Sequence, residues 1–317
     1  MHPALSVIFF TTLSGAGYGL LFWAAWHALT GQSATRTLLA CIAVAIVLST
    51  IGLRSSLAHL GKPQRAWRAL SQWRTSWLSR EGVASMATFF VAVLLGVAVL
   101  PGMIAADASG AIVSLGMAGK LVALLAMACA LATIYCTAMI YASLKPIPAW
   151  RHRLVPWVYL VFALSTGGLL FCAIALALGR DVGNMPALAG IMGAIVACVL
   201  KLKYWRDIDV PLPATRGDAV GLPQRTATVF ERPHTEANYL TKEMGFVVAR
   251  RHSKTLRALA IVLFGVLPIL LLLPAWVFVH LDTGPWYAAA AISALAGAFV
   301  ERWLFFAEAK HMVTLYY

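Results

Sequence analysis

Charged residues are scarce in this chain. Asp, Glu, Lys and Arg make up 12% of its 317 residues, whereas hydrophobic residues make up 61%. A soluble domain has about 25% charged residues and about 45–50% apolar ones. This composition excludes an ordinary soluble protein and indicates a chain that resides in a lipid bilayer.

Metal-binding patterns are also lacking. No two of the five cysteines form a C-x-x-C pair, and none lies beside a histidine ligand pattern; they are Cys41, Cys129, Cys136, Cys172 and Cys198. We therefore predict no metal and no haem on this chain, and small packing roles for the cysteines. A haem held between His27 and His280, each near a helix end, is the alternative interpretation.

What the chain has is long apolar runs. Eight are long enough to cross the roughly 30 Å hydrocarbon core as α-helices. The first lacks the basic leader and cleavage site of a signal peptide, so we expect it to be retained. The prediction is an all-α integral membrane protein, one membrane domain over residues 1–317, with transmembrane helices at about 5–28, 37–57, 82–101, 117–143, 154–178, 186–203, 257–281 and 285–307.

The distribution of Lys and Arg predicts the orientation. Eight spans leave both termini on one side, and the connections on that side carry most of the basic residues, eleven of them between Lys201 and Arg257. By the positive-inside rule, both termini are predicted to be cytoplasmic. The net charge of +13 is then a topology signal and an attraction to anionic lipid, and nucleic acid is not an expected partner.

Residues 204–256 form the one long connection, with four prolines and mixed charges. They are predicted to be a cytoplasmic loop that docks a soluble partner, because Phe230, Tyr239, Met244 and Phe246 are costly to leave in water. A solvated linker is the alternative.

The second and third runs place polar residues at one depth. His59 follows the second run, and Glu81 opens the third after Ser79, a candidate N-cap. Between them PQRAWRALSQWRTSW is typical of an amphipathic interfacial helix. His59 and Glu81 are predicted to exchange protons with a quinone; ordinary helix-end charges and an aromatic belt are the alternative.

Three further ionisable residues lie at membrane depth on the same side: Arg54, Glu301 and Arg302. Such residues are functional candidates by default, although Glu301 and Arg302 could instead be shallow enough to reach lipid headgroups. Arg54 needs a partner, for which Glu301 or Glu81 would serve.

The stretch HLGKPQRAWRALSQWRTSWLSREGVAS, together with YASLKPIPAW at Tyr141 to Trp150, resembles the dimethyl sulfoxide reductase anchor-subunit family. The resemblance implies an eight-helix subunit of the bacterial cytoplasmic membrane, without its own metal. It also implies a quinone (ubiquinone or menaquinone), a partner iron–sulfur subunit and a molybdopterin catalytic subunit. The family's quinol-site residues fall on His59, Arg65 and Glu81, with Arg54, Glu301 and Arg302 as candidate support.

The long loop and the ERWLFFAEAKHM end are similar to a subgroup that includes the membrane subunit of quinone-linked cytoplasmic sulfite dehydrogenase. The resemblance therefore implies electron transfer from sulfite oxidation to quinone. The alternatives are a dimethyl sulfoxide-type anchor that oxidises quinol, a purely structural anchor, and a secondary transporter. A transporter would need interrupted helices, for which Gly167–Gly168, Pro268 and Pro274 are the candidate positions.

Overall fold

The computed structural model describes residues 4–58, 60–101, 114–210, 214–223, 225–231, 252–278 and 282–315. Within these ranges the chain forms helices and no strand, and eight helices are long and apolar enough to span a membrane. They are α1 (Leu5–Thr30), α2 (Thr35–Leu57), α3 (Trp77–Val99), α4 (Met117–Ala142), α5 (Val155–Ala177), α6 (Met185–Ile208), α7 (Ser253–Val277) and α8 (Gly284–Ala307). The predicted all-α class and the eight spans are confirmed.

Three helices differ from their predicted bounds by four or more residues, because apolarity and helicity are not the same property; α7, for example, covers Ser253–Val277 where 257–281 is predicted. A helix continues past the last apolar residue wherever its backbone hydrogen bonds continue, so α6 extends to Ile208 through charged residues that the apolar run does not include. α3 begins at Trp77, not at residue 82. The predicted cap at Ser79 is wrong, since the Ser76 side chain accepts from the Ser79 N–H and Glu81 lies in the second turn.

α1 is the central helix and packs against α2, α4, α5 and α8. Glycines allow this close packing. A Cβ added at Gly17 would lie 2.8 Å from the Ala45 carbonyl oxygen of α2, and one added at Gly167 of α5 would lie 2.7 Å from the Cα of Gly19. Small residues at helix contacts let backbones approach closely in a bilayer.

The candidate helix interruptions have different outcomes. α5 runs unbroken through Gly167 and Gly168, which serve packing. α7 contains a π-helical turn at Val262–Val266, which ends two residues before Pro268. Proline has no N–H to donate to the carbonyl four residues earlier, so the helix changes its hydrogen-bond spacing there. One local π turn is not the unwound helix pair that a transporter needs.

The bundle has two chemically different ends. The end that contains the start of α1 and the end of α8 is called the terminal face. Ser55 Oγ donates to the Ser6 carbonyl oxygen there, and Trp150 Nε1 donates to the Phe305 carbonyl oxygen. This half is rich in aromatic residues, whereas the half toward the opposite face is mainly aliphatic and alanine-rich.

Candidate functional site

The connection between α2 and α3 is a 3₁₀ helix over Pro63–Gln72 with no buried residue, called the interfacial helix below. Its sequence places Trp67 on the surface, and Trp73, directly after it, is exposed as well. This agrees with the predicted interfacial segment, although the hydrogen-bond pattern is 3₁₀.

α3 holds the interfacial helix in place. The Ser79 hydroxyl donates to the Ala69 carbonyl oxygen, and the Arg80 guanidinium donates to the Trp73 and Arg74 carbonyl oxygens at 3.1 and 2.6 Å. A Cβ on Gly82 would lie 2.9 Å from Leu70 Cδ2, so the interfacial helix lies directly on the second turn of α3.

Glu81 lies between Ser79 and Gly82, the residues of α3 that contact the interfacial helix, and only 4% of its surface is exposed. Its Oε1 accepts a hydrogen bond from Ser85 Oγ at 3.0 Å, and Ser85 Oγ accepts from the Tyr18 hydroxyl at 3.1 Å. Within the described part of the chain no cation pairs with it. Burial of an unpaired charge is costly, so this carboxyl group is a poor structural charge. The arrangement suits a group that gains and loses a proton.

The other predicted residues near this junction lie at different places. His59 lies outside the described residues, between Ala58 and Leu60. Arg65 and Arg54 are exposed, and no carboxylate among the described residues lies within 4 Å of either guanidinium. The predicted pairing of Arg54 with Glu301 or Glu81 is therefore wrong, since Glu301 pairs with residues of α6 and α8.

Glu301 belongs to a buried ion cluster that the sequence predicts only in part. Lys201 Nζ lies 2.6 Å from Glu301 Oε1, and the two side chains are 1% and 0% exposed. Arg302 Nη1 lies 3.4 Å from Glu301 Oε2. The sequence predicts that Lys201 is one of the loop residues that set the topology, but the Lys201 side chain projects from α6 into the protein. The signal for this is a lysine set in the apolar run ACVLKLKYW.

Aromatic rings surround the two cations. Lys201 Nζ lies 4.1 Å from the centre of the Tyr204 ring, and Arg302 Cζ lies 3.5 Å from the centre of the Tyr159 ring. Cation–π contacts of this kind are strongest where water is excluded. Glu301 and Arg302 therefore do not reach the headgroups, and with Lys201 they carry one net positive charge if all three are ionised.

A second ionic group connects this cluster to the terminal face. Arg257 donates to Glu308 Oε1 at 2.8 Å and to both Asp209 oxygens at 2.7 and 2.8 Å. Burial raises the pKa of Glu308, against the opposing effect of the Arg257 hydrogen bond. The Arg257 hydrogen bond lowers the pKa of Asp209. Arg257 thus ties the start of α7 to the ends of α6 and α8.

Metal ligands are not grouped within the described ranges, where no three His, Cys, Asp or Glu side chains could hold an ion. All five cysteines are free thiols. His27 stacks on Phe171 at 4.2 Å between ring centres, and its Nδ1 lies 3.2 Å from Ser33 Oγ. His280, its candidate haem partner, lies outside the described residues.

A large cavity opens in the half toward the opposite face. It has a volume of about 830 Å³ and lies between α1, α5 and α6, with His27, Arg180 and Asp181 in its lining. It shares no lining residue with the terminal-face cluster. A quinone bound there would have no buried carboxylate of the described chain beside it.

Comparison with known proteins gives two results. The family described as DMSO reductase anchor subunit (DmsC) matches residues 1–307. The chain is also similar to a sulfite dehydrogenase subunit of Allochromatium vinosum, with 30% identity over 332 aligned residues that cover 100% of this chain and 99% of that protein.

Proposed function

The chain belongs to the DMSO reductase anchor-subunit family and is a multi-pass membrane anchor subunit of an oxidoreductase complex; from this premise we propose that it is also the quinone-reactive subunit. It passes electrons between a partner iron–sulfur subunit and the membrane quinone pool. The molybdopterin chemistry takes place on a further partner chain. The complex resides in the bacterial cytoplasmic membrane.

The observation that carries this proposal is the buried Glu81. Its carboxyl group is partnered by Ser85 and is buried beside Gly82, against which the interfacial helix packs; we propose that it lies at the level of the lipid headgroups. Quinone reduction needs two electrons and two protons, and the protein must supply the protons at the ring oxygens. A carboxyl group held out of water at the headgroup level is suited to this proton transfer.

The remaining residues have assigned roles within the proposal. His59, in the connection between α2 and the interfacial helix, exchanges the second proton, because the imidazole pKa ordinarily lies near neutral pH. Arg65 binds a quinone oxygen or supports Glu81 from the interfacial helix. Arg54, Glu301 and Arg302 do not contact the quinone in this proposal. Glu301 and Arg302 stabilise the helices around the site through their ion contacts with each other and with Lys201.

Sulfite is the proposed substrate of the complex, with ubiquinone or menaquinone as electron acceptor. The support is the similarity to a sulfite dehydrogenase subunit over the whole of both chains. A DMSO-type anchor that oxidises quinol is the second candidate, supported by the family match. Both use the same quinone site, and they differ in the direction of electron flow.

The docking surface is proposed to be the loop 204–256 on the cytoplasmic side. Phe230, in its described part, is 104% exposed, which favours coverage by a partner. Tyr239, Met244 and Phe246 lie outside the described residues. Cytoplasmic termini then place the iron–sulfur partner and the quinone site at one membrane surface.

The decisive experiment replaces Glu81 with Gln in the assembled complex. Gln keeps the volume and a hydrogen bond but cannot carry the proton, so we expect quinone-linked turnover to fall by about 10²-fold or more, with the same iron and molybdenum content. His59→Ala should lower turnover in the same assay. The matched control is Gln32→Glu in the lining of the opposite-face cavity, which should leave turnover near the parent value.

Normal turnover in Glu81→Gln, with loss of turnover in Gln32→Glu, would move the quinone site to the opposite-face cavity. Purification in mild detergent tests the partners separately. Molybdenum and non-haem iron should co-purify with this chain, and their absence from an intact preparation would contradict the proposed complex.

A further inference from the structure

The hydrogen bonds behind Glu81 have one fixed direction. An ionised carboxylate only accepts hydrogen bonds, so the Ser85 hydroxyl must donate to it. Ser85 has a single hydroxyl proton, and therefore Tyr18 must donate to Ser85. The row Tyr18–Ser85–Glu81 is thus already oriented to deliver protons toward Glu81 from the interior of the bundle.

Tyr18 also lines a small cavity where α1, α4, α5 and α8 meet. Its volume of about 20 Å³ is enough for one water molecule. Its lining is unusually polar for a membrane interior: Thr11, Thr12, Ser14, Tyr18, Thr137, Tyr159, Thr166 and Arg302.

Three polar groups in the lining have unused hydrogen-bonding capacity. Thr12 Oγ1 and the Tyr159 hydroxyl are buried without a hydrogen-bond partner in the described structure. Arg302 Nη1 has only the 3.4 Å ion contact with Glu301 there. Buried polar groups that lack a partner are costly, and here all three residues line one cavity. A water molecule bound in this cavity would give these groups a hydrogen-bond partner, and Tyr18 lines the same cavity.

The far side of the cavity leads to the terminal face. Arg302 joins the cavity lining to Glu301, and Lys201 lies 2.6 Å from Glu301. Glu308 directly follows α8, about two helical turns past Glu301; it interacts electrostatically with Lys201 and is bonded to Arg257 near the start of α7. Polar groups therefore extend from Glu81 to Tyr18 and from Arg302 toward the ends of α6 and α8, and the small cavity lies between the two sets.

We propose that this set is a buried proton relay, in which the cavity between Tyr18, Thr12, Tyr159 and Arg302 holds a water molecule that supplies protons to Glu81 from the Lys201–Glu301 pair. The inference rests on the proposed function, since Glu81 must be the group that protonates quinone. It gives Lys201 and Glu301 a function in a dry interior. It also explains how Glu81 is reprotonated beneath the interfacial helix and a docked partner.

The relay moves protons and no electrons. When Glu81 gives its proton to a quinone oxygen, Ser85 donates to Glu81, Tyr18 donates to Ser85, and the water donates to Tyr18. Lys201 gives a proton to Glu301, Glu301 passes that proton to the water, and Lys201 regains one from solvent beside Glu308. Each transfer breaks one bond to hydrogen and forms one. Arg302 remains a cation throughout and is a positioning residue for the water and for Glu301.

The test uses the assembled complex with two conservative changes, each with a matched control. Tyr18→Phe keeps the ring and removes the hydroxyl; its control is Tyr287→Phe, which removes a buried hydroxyl without a described partner from the opposite half. Thr12→Val removes a lining hydroxyl; its control is Thr35→Val, whose Oγ1 is likewise buried and unpartnered among the described residues. The measured quantity is the rate of oxidation of prereduced partner clusters by a short-chain benzoquinone, in H₂O and in D₂O.

Loss of the relay should slow Tyr18→Phe by about ten-fold or more and raise its solvent isotope effect, with an unchanged KM for quinone. Thr12→Val should be slowed to a smaller extent, and both controls should match the parent. A second readout needs no quinone. The Glu81 carboxyl group is identified by the infrared band that disappears in Glu81→Gln. After transfer to D₂O at acidic pH, this band should shift more slowly in Tyr18→Phe than in Tyr287→Phe, because the carboxyl proton exchanges more slowly.

The outcomes separate the relay from the function on which it rests. The relay alone would be overturned if the oxidation rate fell in Glu81→Gln while Tyr18→Phe and Thr12→Val kept the rates of their controls. A raised KM in Tyr18→Phe, with unchanged kcat and carboxyl exchange, would also overturn it, because the hydroxyl would then act in binding. Parent rates in Glu81→Gln would overturn the proposed function and the relay together.

Discussion

The two halves of this helix bundle bury different kinds of side chains. Toward the opposite face, contacts are made by alanine and aliphatic side chains with a wide cleft beside them. Toward the terminal face, aromatic rings enclose Glu301, Lys201 and Arg302. Ionisable groups at membrane depth are expensive, so their concentration at one end indicates that the chemistry of the chain is located there.

The comparison is clearest along α3. Glu81 and Leu95 are both buried on this helix, at 4% and 0% exposure. Leu95 can contribute only packing, whereas Glu81 carries an ionisable carboxyl group that accepts a hydrogen bond from Ser85. Leu95 should therefore matter for stability and Glu81 for turnover.

The largest effect on stability is expected in the ion cluster. Glu301→Gln leaves Lys201 and Arg302 as two buried cations without the Glu301 counterion, which should cost roughly 3–5 kcal/mol. Lys201→Met should be milder, because Glu301 keeps Arg302 at 3.4 Å. Thermal unfolding of the purified complex in detergent measures both.

A double variant sharpens this prediction. Adding Lys201→Met to Glu301→Gln removes one of the two opposed cations and should recover part of the lost stability. If the double variant is less stable than Glu301→Gln alone, the cluster is held by packing of the lysine stem and not by charge balance.

The next effect separates the two ends of α3. Leu95→Ala leaves a cavity in the aliphatic half and should cost about 2–5 kcal/mol, with unchanged turnover per assembled complex. Glu81→Gln should lower turnover per assembled complex and leave the free energy of unfolding nearly unchanged. Thermal unfolding and turnover measured on the same preparations check the pair, and a parallel fall of both quantities in both variants would remove the distinction between the halves.

The smallest effect concerns the cover over Glu81. Ser79→Ala removes the hydrogen bond to the Ala69 carbonyl oxygen and should cost about 1 kcal/mol, mainly as looser attachment of the interfacial helix. Limited proteolysis between α2 and α3 should become faster. Ser71→Ala is the control, since the Ser71 hydroxyl donates to the Arg68 carbonyl oxygen within the interfacial helix. Equal rates of proteolysis in the two variants would show that Ser79 does not attach the interfacial helix to α3.

Prediction from the sequence succeeds where the physical cause is local. The absence of water in the bilayer forces apolar runs into helices, and all eight spans follow from hydropathy. The same reasoning selects Glu81, Glu301 and Arg302, which are buried as ionisable residues in apolar surroundings. It fails at Lys201 and at the partner of Arg54, because pairing depends on how helices far apart in sequence are rotated toward each other.

Hydropathy and local motifs are properties of single segments, so the amino-acid sequence is enough to predict the bilayer environment, the helices and the family of this protein. The folded chain is needed to show that Glu81 is hydrogen-bonded through Ser85 to Tyr18 and that Lys201 faces Glu301. It also decided that three buried polar groups with unused hydrogen-bonding capacity line one small cavity. These contacts join α1, α3, α5, α6 and α8. Such contacts depend on how the helices pack, as in the close approach of α1 to α2 at Gly17 and to α5 at Gly19 and Gly167, and no single segment encodes that packing.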